Sequence, residues 1–291
     1  MALQALKPKR SLRSLHYDIT VGSLDGFVQQ RFIVKVYWNG EHVLHFDSEK
    51  GQAKPQDQWA QAILRNRNWE ITETTEFKEM GSNLRLTLSH ILKLEDQKKA
   101  SHSLQEMLGC EIKENSIIAF WEYCYDWKTS ISYDLKTQRW MVSTSSTQIQ
   151  AIKIKESWDK DKEKQKDYNH RVKGDICKRL QNLDSWTDLT ERTVSPVVNV
   201  NHSDPTEENV TLTCWASGFY PRNISLIWLQ DGDPLSSQDS QFRGCVLPHA
   251  NGTYETWVSI KVPQGKEHMY SCRVEHNGKK STYPVTLGEH G

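Results

Sequence analysis

CWASGFYPRNISLIW, Cys214 to Trp228, sets short alternating apolar runs on either side of a Gly-Phe-Tyr-Pro turn. Its neighbours VTLTCWA, ISLIWL, TYETWVSIKV and MYSCRVEH repeat the pattern, each run bounded by turn residues. Period-two alternation over four to eight residues marks half-buried strands, and many such strands in succession predict an all-β sandwich from Ser195 onward. Cys214 and Cys272 stand 58 positions apart, with Trp228 fourteen after the first and Tyr270 two before the second.

That arrangement of cysteines, tryptophan and tyrosine, with YSCRVEH at the second cysteine, resembles the constant-type immunoglobulin domains of antigen-presenting molecules. The resemblance implies a Cys214–Cys272 disulfide between the two sheets, with the Trp228 indole packed on it.

The whole chain, 291 residues, is long for one core, so two domains are expected. Its 37 basic and 37 acidic residues cancel, which removes bulk charge as an argument for nucleic acid. Sequons at Asn201, Asn209, Asn223 and Asn251 crowd into 51 residues, which points to an exposed, glycosylated domain made in the secretory pathway. No apolar run approaches a membrane span and MALQALKPKR lacks a secretory core, so any signal and anchor are expected outside this sequence.

Residues 14–190 repeat one plan. LHYDITVGS, VQQRFIVKVYWNG and EHVLHFDSE read as strands joined by Asp-Gly and Asn-Gly turns, followed by a helical stretch from Pro55 to Leu94. Leu84, Leu88, Ile91 and Leu92 fall on one helical face. SLQEMLGCEIKE, IIAFWEYCYDW, TSISYDL and QRWMVST then lead into a second helical stretch from Ser145 to Leu189. The expected fold is α+β: an eight-stranded antiparallel sheet under two helices, then the sandwich.

SLHYDITV, RFIVKVYWNGEHVLHFDSE, SHSLQEMLGCEI, YDLKTQRW and ICKRLQNL resemble the groove platform of MHC class I heavy chains. AKPQDQWAQAILRNRNWE with LRLTLSHI is similar to the MHC class I chain-related (MIC) proteins and the rodent MILL group. The resemblance divides the chain into a basic extension, 1–13, expected to be disordered and leaning toward MILL; a platform, 14–190; a linker, 191–194; and the immunoglobulin-like domain, 195–291. It implies a Cys110–Cys177 disulfide. Cys124 and Cys245 are left over, most simply as buried free thiols, otherwise bonded to each other or to a partner chain. Phe46 and Gly51 stand where the MIC proteins carry a further cysteine bridge.

Peptide-presenting relatives clamp peptide termini with a set of polar side chains, several of them tyrosines. Tyr17 keeps one such position; Asn68 beside Trp69, Val172, Asp184, and Lys93 or Ile91 replace others. A buried terminal charge without compensation is not held, so no peptide is expected in the groove. From Trp140 to Cys177 is 37 residues, the MIC length and about six more than in peptide-presenting chains. The addition coincides with WDKDKEKQKDY, Trp158 to Tyr168, whose like charges at i, i+4 predict a helix break on the groove's rim.

No HExxH, GxSxG, P-loop or dinucleotide fingerprint is present, so no enzyme, metal or cofactor is expected. In HVLHFD, alternation sets His42 opposite His45 and Asp47. Ten basic against six acidic residues between Lys153 and Arg179 offer Lys160, Lys162, Lys164, Lys166, Arg171 and Lys173 to a heparan sulfate-type glycosaminoglycan, or else form a solvated helix face. Gln105 matches a family contact to beta-2-microglobulin, and Trp127 and Thr129 replace a glycine and an aspartate at that surface. The expected function is a cell-surface immune recognition ligand, MILL-like and associated with beta-2-microglobulin. Alternatives are a MIC-like ligand of the activating lectin-like receptor of natural killer cells without the light chain, a groove carrying a lipid or small molecule, and glycosaminoglycan binding.

Overall fold

The computed structural model describes residues 12–64, 69–94, 100–113, 116–134, 136–143, 149–182, 192–203, 208–235 and 241–285. The first half is β1 (Arg13–Leu24), β2 (Phe27–Trp38), β3 (Glu41–Asp47) and β4 (Ala53–Pro55), followed by helices α1 (Gln58–Leu64) and α2 (Trp69–Leu94). The second is β5 (His102–Lys113), β6 (Ser116–Tyr125), β7 (Thr129–Asp134) and β8 (Arg139–Val142). Its helix runs in pieces: α3 (Ile149–Lys160), α4 (Lys162–Asp167), a π-helical stretch (Tyr168–Ile176) and α5 (Cys177–Asn182).

The strands form one antiparallel sheet in the order β4-β3-β2-β1-β5-β6-β7-β8. Asp25-Gly26 and Asn39-Gly40 hold left-handed φ angles of 52°, 83°, 49° and 79°, the geometry that a two-residue hairpin on twisted strands requires. β1 pairs with both β2 and β5, so the halves fuse edge to edge through Tyr17 opposite Leu108. Leu15, Tyr17, Ile19 and Val21 point toward the helices and are buried there with Phe77, Leu84, Leu88 and Ile91 of α2. Burying each such side chain contributes about 1.5–3 kcal/mol, which holds the helices down. Arg13, expected in the extension, opens β1; residues 1–11 lie outside the described ones.

The second unit packs two sheets, β13-β15-β10-β9 and β12-β11-β16-β17, with β14 on β15. Its strands are β9 (Val197–Ser203), β10 (Asn209–Phe219), β11 (Ile224–Gln230), β12 (Asp233–Pro234), β13 (Gln241–Arg243), β14 (Leu247–Pro248), β15 (Tyr254–Pro263), β16 (Tyr270–His276) and β17 (Lys279–Pro284). Cys214 and Cys272 are bonded between the sheets, and Trp228, fully buried in the same core, donates Nε1–H to the Val258 carbonyl at 3.1 Å.

Alternation that turns Tyr17 up turns Ser14, His16 and Asp18 down, and this underside carries the immunoglobulin-like unit. Ser14 Oγ and Tyr220 OH are 2.8 Å apart, His16 bonds the Tyr254 hydroxyl, and Arg222 pairs with Glu122. Cys124 and Cys245 are bonded to each other, Cα atoms 6.1 Å apart. The free-thiol reading of this pair is therefore corrected: β6 projects Cys124 downward, directly against the segment between β13 and β14, and Met107 and Leu247 bury the bond. Arg192, expected in a linker, donates to the carbonyls of Gly40 and Asn251 at 2.8 and 2.6 Å. A Cβ at Gly252 would lie 1.5 Å from the Gly40 carbonyl oxygen, so glycine is required where these two turns meet.

Candidate functional site: a groove closed by its own cations

Two side chains from the second-half helix close the space between the helices. Arg179, on α5, reaches across to α2: Nη1 donates to Glu73 at 2.6 Å and to the Tyr17 hydroxyl at 3.2 Å, and Nη2 donates to both Glu76 oxygens at 2.6 and 2.8 Å. The planar guanidinium carries five donors on separate nitrogens, so it spans partners that a single compact ammonium cannot reach together. Tyr17 is thus satisfied within the chain. Burial pushes Glu73 up to about 7; Arg179 opposes the shift and Glu76 adds to it.

Between its unfolded value and about 7, Glu73 holds its proton more tightly in the folded chain. Its contribution to stability is therefore full at low pH and is lost as pH rises through 7. Glu73→Gln removes that slope. Relative to wild type, the variant should gain up to about 3 kcal/mol on going from pH 5 to pH 8, as read from urea midpoints; a pH-independent difference would refute it.

The other end is filled by Lys164, whose Nζ sits 4.2 to 5.7 Å from the ring centres of Trp158, Tyr123, Trp121 and Trp140. Beneath it the buried Glu106 accepts Trp121 Nε1–H at 2.6 Å and Tyr123 O–H at 2.7 Å. Burial lowers the Lys164 pKa, partly offset by Glu106. The helix break falls at Asp161, whose Oδ1 accepts the N–H groups of Glu163 and Lys164 at 3.0 and 3.2 Å. Of the charged pairs in the run, Glu163 meets Lys166 at 2.6 Å, whereas Asp159 turns to Lys155 and to the Trp140 N–H.

Between these closures lies a cleft of about 270 Å³ lined by Tyr17, Glu76, Glu79, His170, Arg171 and Asp175 among others. Its walls are charged, unlike an acyl-chain channel. Of the replaced clamp positions, Val172 and Ile91 are buried in the core and Lys93 points to solvent; Asn68 and Asp184 lie outside the described residues.

The remaining expected site residues scatter. Gln105 is buried and donates to Asp18 at 2.6 Å, while burial pushes Asp18 up to about 6 against that bond and Lys35. It lies opposite Cys124 on β5 and β6, beside the disulfide. Trp127 stands in the β6–β7 turn with a left-handed φ of 62° and is 53 % exposed; Thr129 begins β7. Lys160, Lys162, Lys166 and Lys173 are exposed and Arg171 is half-buried. Lys164 is not on that basic surface, which corrects the expectation, because its stem turns inward after the Asp161 break. Asn201, Asn209, Asn223 and Asn251 are all exposed. A register shift between Val36 and Tyr37 upsets simple alternation in HVLHFD and brings the His42 and His45 rings to 6.0 Å; among the described residues no metal-binding cluster results.

Cys110 of β5 is bonded to Cys177 at the start of α5, pinning the broken helix to the sheet. A family model described as "Class I Histocompatibility antigen, domains alpha 1 and 2" matches residues 11–182, and "Immunoglobulin C1-set domain" matches 197–279. The chain belongs to the MHC class I-like family. This family's platform is non-enzymatic, and the chain has its α1/α2 sheet and helices followed by a C1-set domain. It is 42 % identical to human MHC class I polypeptide-related sequence A, over 95 % of this chain and 71 % of that one. Identity to the MHC class I-like protein MILL2 of Mus musculus is 31 %, over 95 % and 77 %. The human hereditary hemochromatosis protein is 29 % identical, over 96 % and 79 %. Among the described residues no helix is long and apolar enough to cross a membrane.

The sequence offered the Cys124–Cys245 bond only as an alternative to free thiols, and it gave no signal of Lys164's inward turn. Each needs a partner that only the folded chain brings near.

Proposed function

We propose that this MHC class I-like chain is a glycosylated recognition ligand on the outer face of the plasma membrane that presents no peptide and needs no light chain. The observation that carries it is the seam on the sheet's underside. There the chain's own immunoglobulin-like domain is bonded to β6 through Cys124 and Cys245, across from Gln105. The family resemblance assigns the ground around Gln105 to beta-2-microglobulin, and here the chain's own domain is tied down beside it. The groove supports the same reading, since Arg179 and Lys164 occupy it. The receptor this favours is the activating lectin-like receptor of natural killer cells, meeting the upper helix surface.

Co-expression with beta-2-microglobulin tests the reading. The chain is expected to elute alone, folded; a stoichiometric complex would overturn it and restore the MILL-like reading. That second reading is favoured by the exposed apolar side chains Phe27, 79 % exposed, and Trp127 at one end of the sheet. Lipid carriage has little support from the charged cleft. Glycosaminoglycan binding now rests on Lys160, Lys162, Lys166, Arg171 and Lys173 without Lys164.

A further inference from the structure

The four rings around Lys164 belong to three elements: Trp121 and Tyr123 to β6, Trp140 to β8 and Trp158 to α3. Receptor recognition on the upper surface makes no use of them. A primary ammonium carries three N–H donors and is strongly hydrated in water. Among the described residues Lys164 Nζ has one hydrogen-bond partner in the box, the Tyr123 hydroxyl at 3.3 Å, and that hydroxyl's own proton is committed to Glu106. Glu106 supplies negative charge from below without touching the ammonium. Trp140 Nε1 and Tyr168 OH, both in fully buried side chains of the same cluster, have no hydrogen-bond partner among the described residues. The enclosure thus offers ring faces and a carboxylate field but few acceptors, which suits a cation that has no N–H to satisfy.

We propose that this box is a recognition site for a trimethylammonium group, held shut in this conformation by Lys164 as a built-in occupant. Opening it requires the movement of one short piece. α4 is six residues between the Asp161 break and the π-helical stretch, and Asp161 secures only its first turn. Withdrawing α4 removes Lys164 and leaves the sheet-borne rings and Glu106 in place. An intramolecular occupant lowers the apparent affinity of any external ion by the fraction of time the box stands open.

The test is a titration of tryptophan fluorescence with tetramethylammonium chloride, against sodium chloride at equal ionic strength. Lys164→Ala should respond saturably, wild type should saturate at a roughly tenfold higher concentration, and adding Glu106→Gln to Lys164→Ala should weaken binding. A wild-type and Lys164→Ala response that matches sodium chloride throughout overturns the proposal. So does equal affinity in the two proteins, since nothing would then be latched. If Lys164→Ala folds poorly, Lys164→Gln replaces it, and a rise in its Tm specific to tetramethylammonium is the expected readout. Sedimentation of Lys164→Ala with phosphatidylcholine but not phosphatidylglycerol vesicles assigns a lipid head group as the source. Ion binding without sedimentation assigns a free small cation.

Discussion

Replacing Cys124 and Cys245 together by serine will loosen the immunoglobulin-like domain from the platform and lower the chain's resistance to unfolding. The bond spans 121 positions of sequence. A loop of that size corresponds to about 4–5 kcal/mol in the chain-entropy model, an upper bound because the two remaining disulfides already restrict the unfolded chain. Removing the bond also deletes the centre of the small apolar cluster of Met107, Leu247 and Phe120. What remains at the seam is polar: Arg222 with Glu122, His16 with Tyr254, Ser14 with Tyr220. Such contacts, each worth about 1 kcal/mol net, hold a domain less firmly than a covalent tie. The radius of gyration in solution should increase, and amides near Met107 and Phe120 should exchange faster. Unchanged scattering and exchange would mean that the polar seam alone suffices. If the loosened variant then captures beta-2-microglobulin while wild type does not, the disulfide is what bars the light chain.

Arg179→Ala should cost about 3 kcal/mol near pH 8, because it leaves a buried carboxylate without its counter-charge. Glu73 is 8 % exposed and has Glu76 beside it, so removing the guanidinium exposes two like charges to one another in a partly desolvated place. Below pH 6 the penalty should shrink, since Glu73, pushed up to about 7 by burial, takes a proton and the repulsion disappears. Arg179→Lys should recover only part of the loss, for a single ammonium cannot span Glu73, Glu76 and Tyr17. Urea midpoints at pH 8 and pH 5 measure all of this. A loss that is equal at both pH values would place the effect in packing and not in charge.

Local signals were legible wherever the chain's neighbours in sequence are its neighbours in space. Asp25-Gly26 and Asn39-Gly40 announced hairpins because the I′ turn needs left-handed residues at those two positions. Leu84, Leu88, Ile91 and Leu92 announced the buried face of α2 because helical period fixes which side chains share a side. The like charges around Asp161 announced the break because i, i+4 repulsion acts within one turn. Alternation was less secure: one register shift was enough to bring His42 and His45 together, against the expectation that they face apart.

The sequence by itself determined the family and the two kinds of layer, and it set the expectation that no peptide is held. Only the tertiary structure decided that Cys124 meets Cys245, that Arg179 bridges the helices and that Lys164 leaves the basic surface for the aromatic box. The reason is physical. Turn chemistry and periodicity are short-range and are written residue by residue, whereas a disulfide 121 positions apart, or a cation bridging two helices, depends on which faces the whole fold presses together.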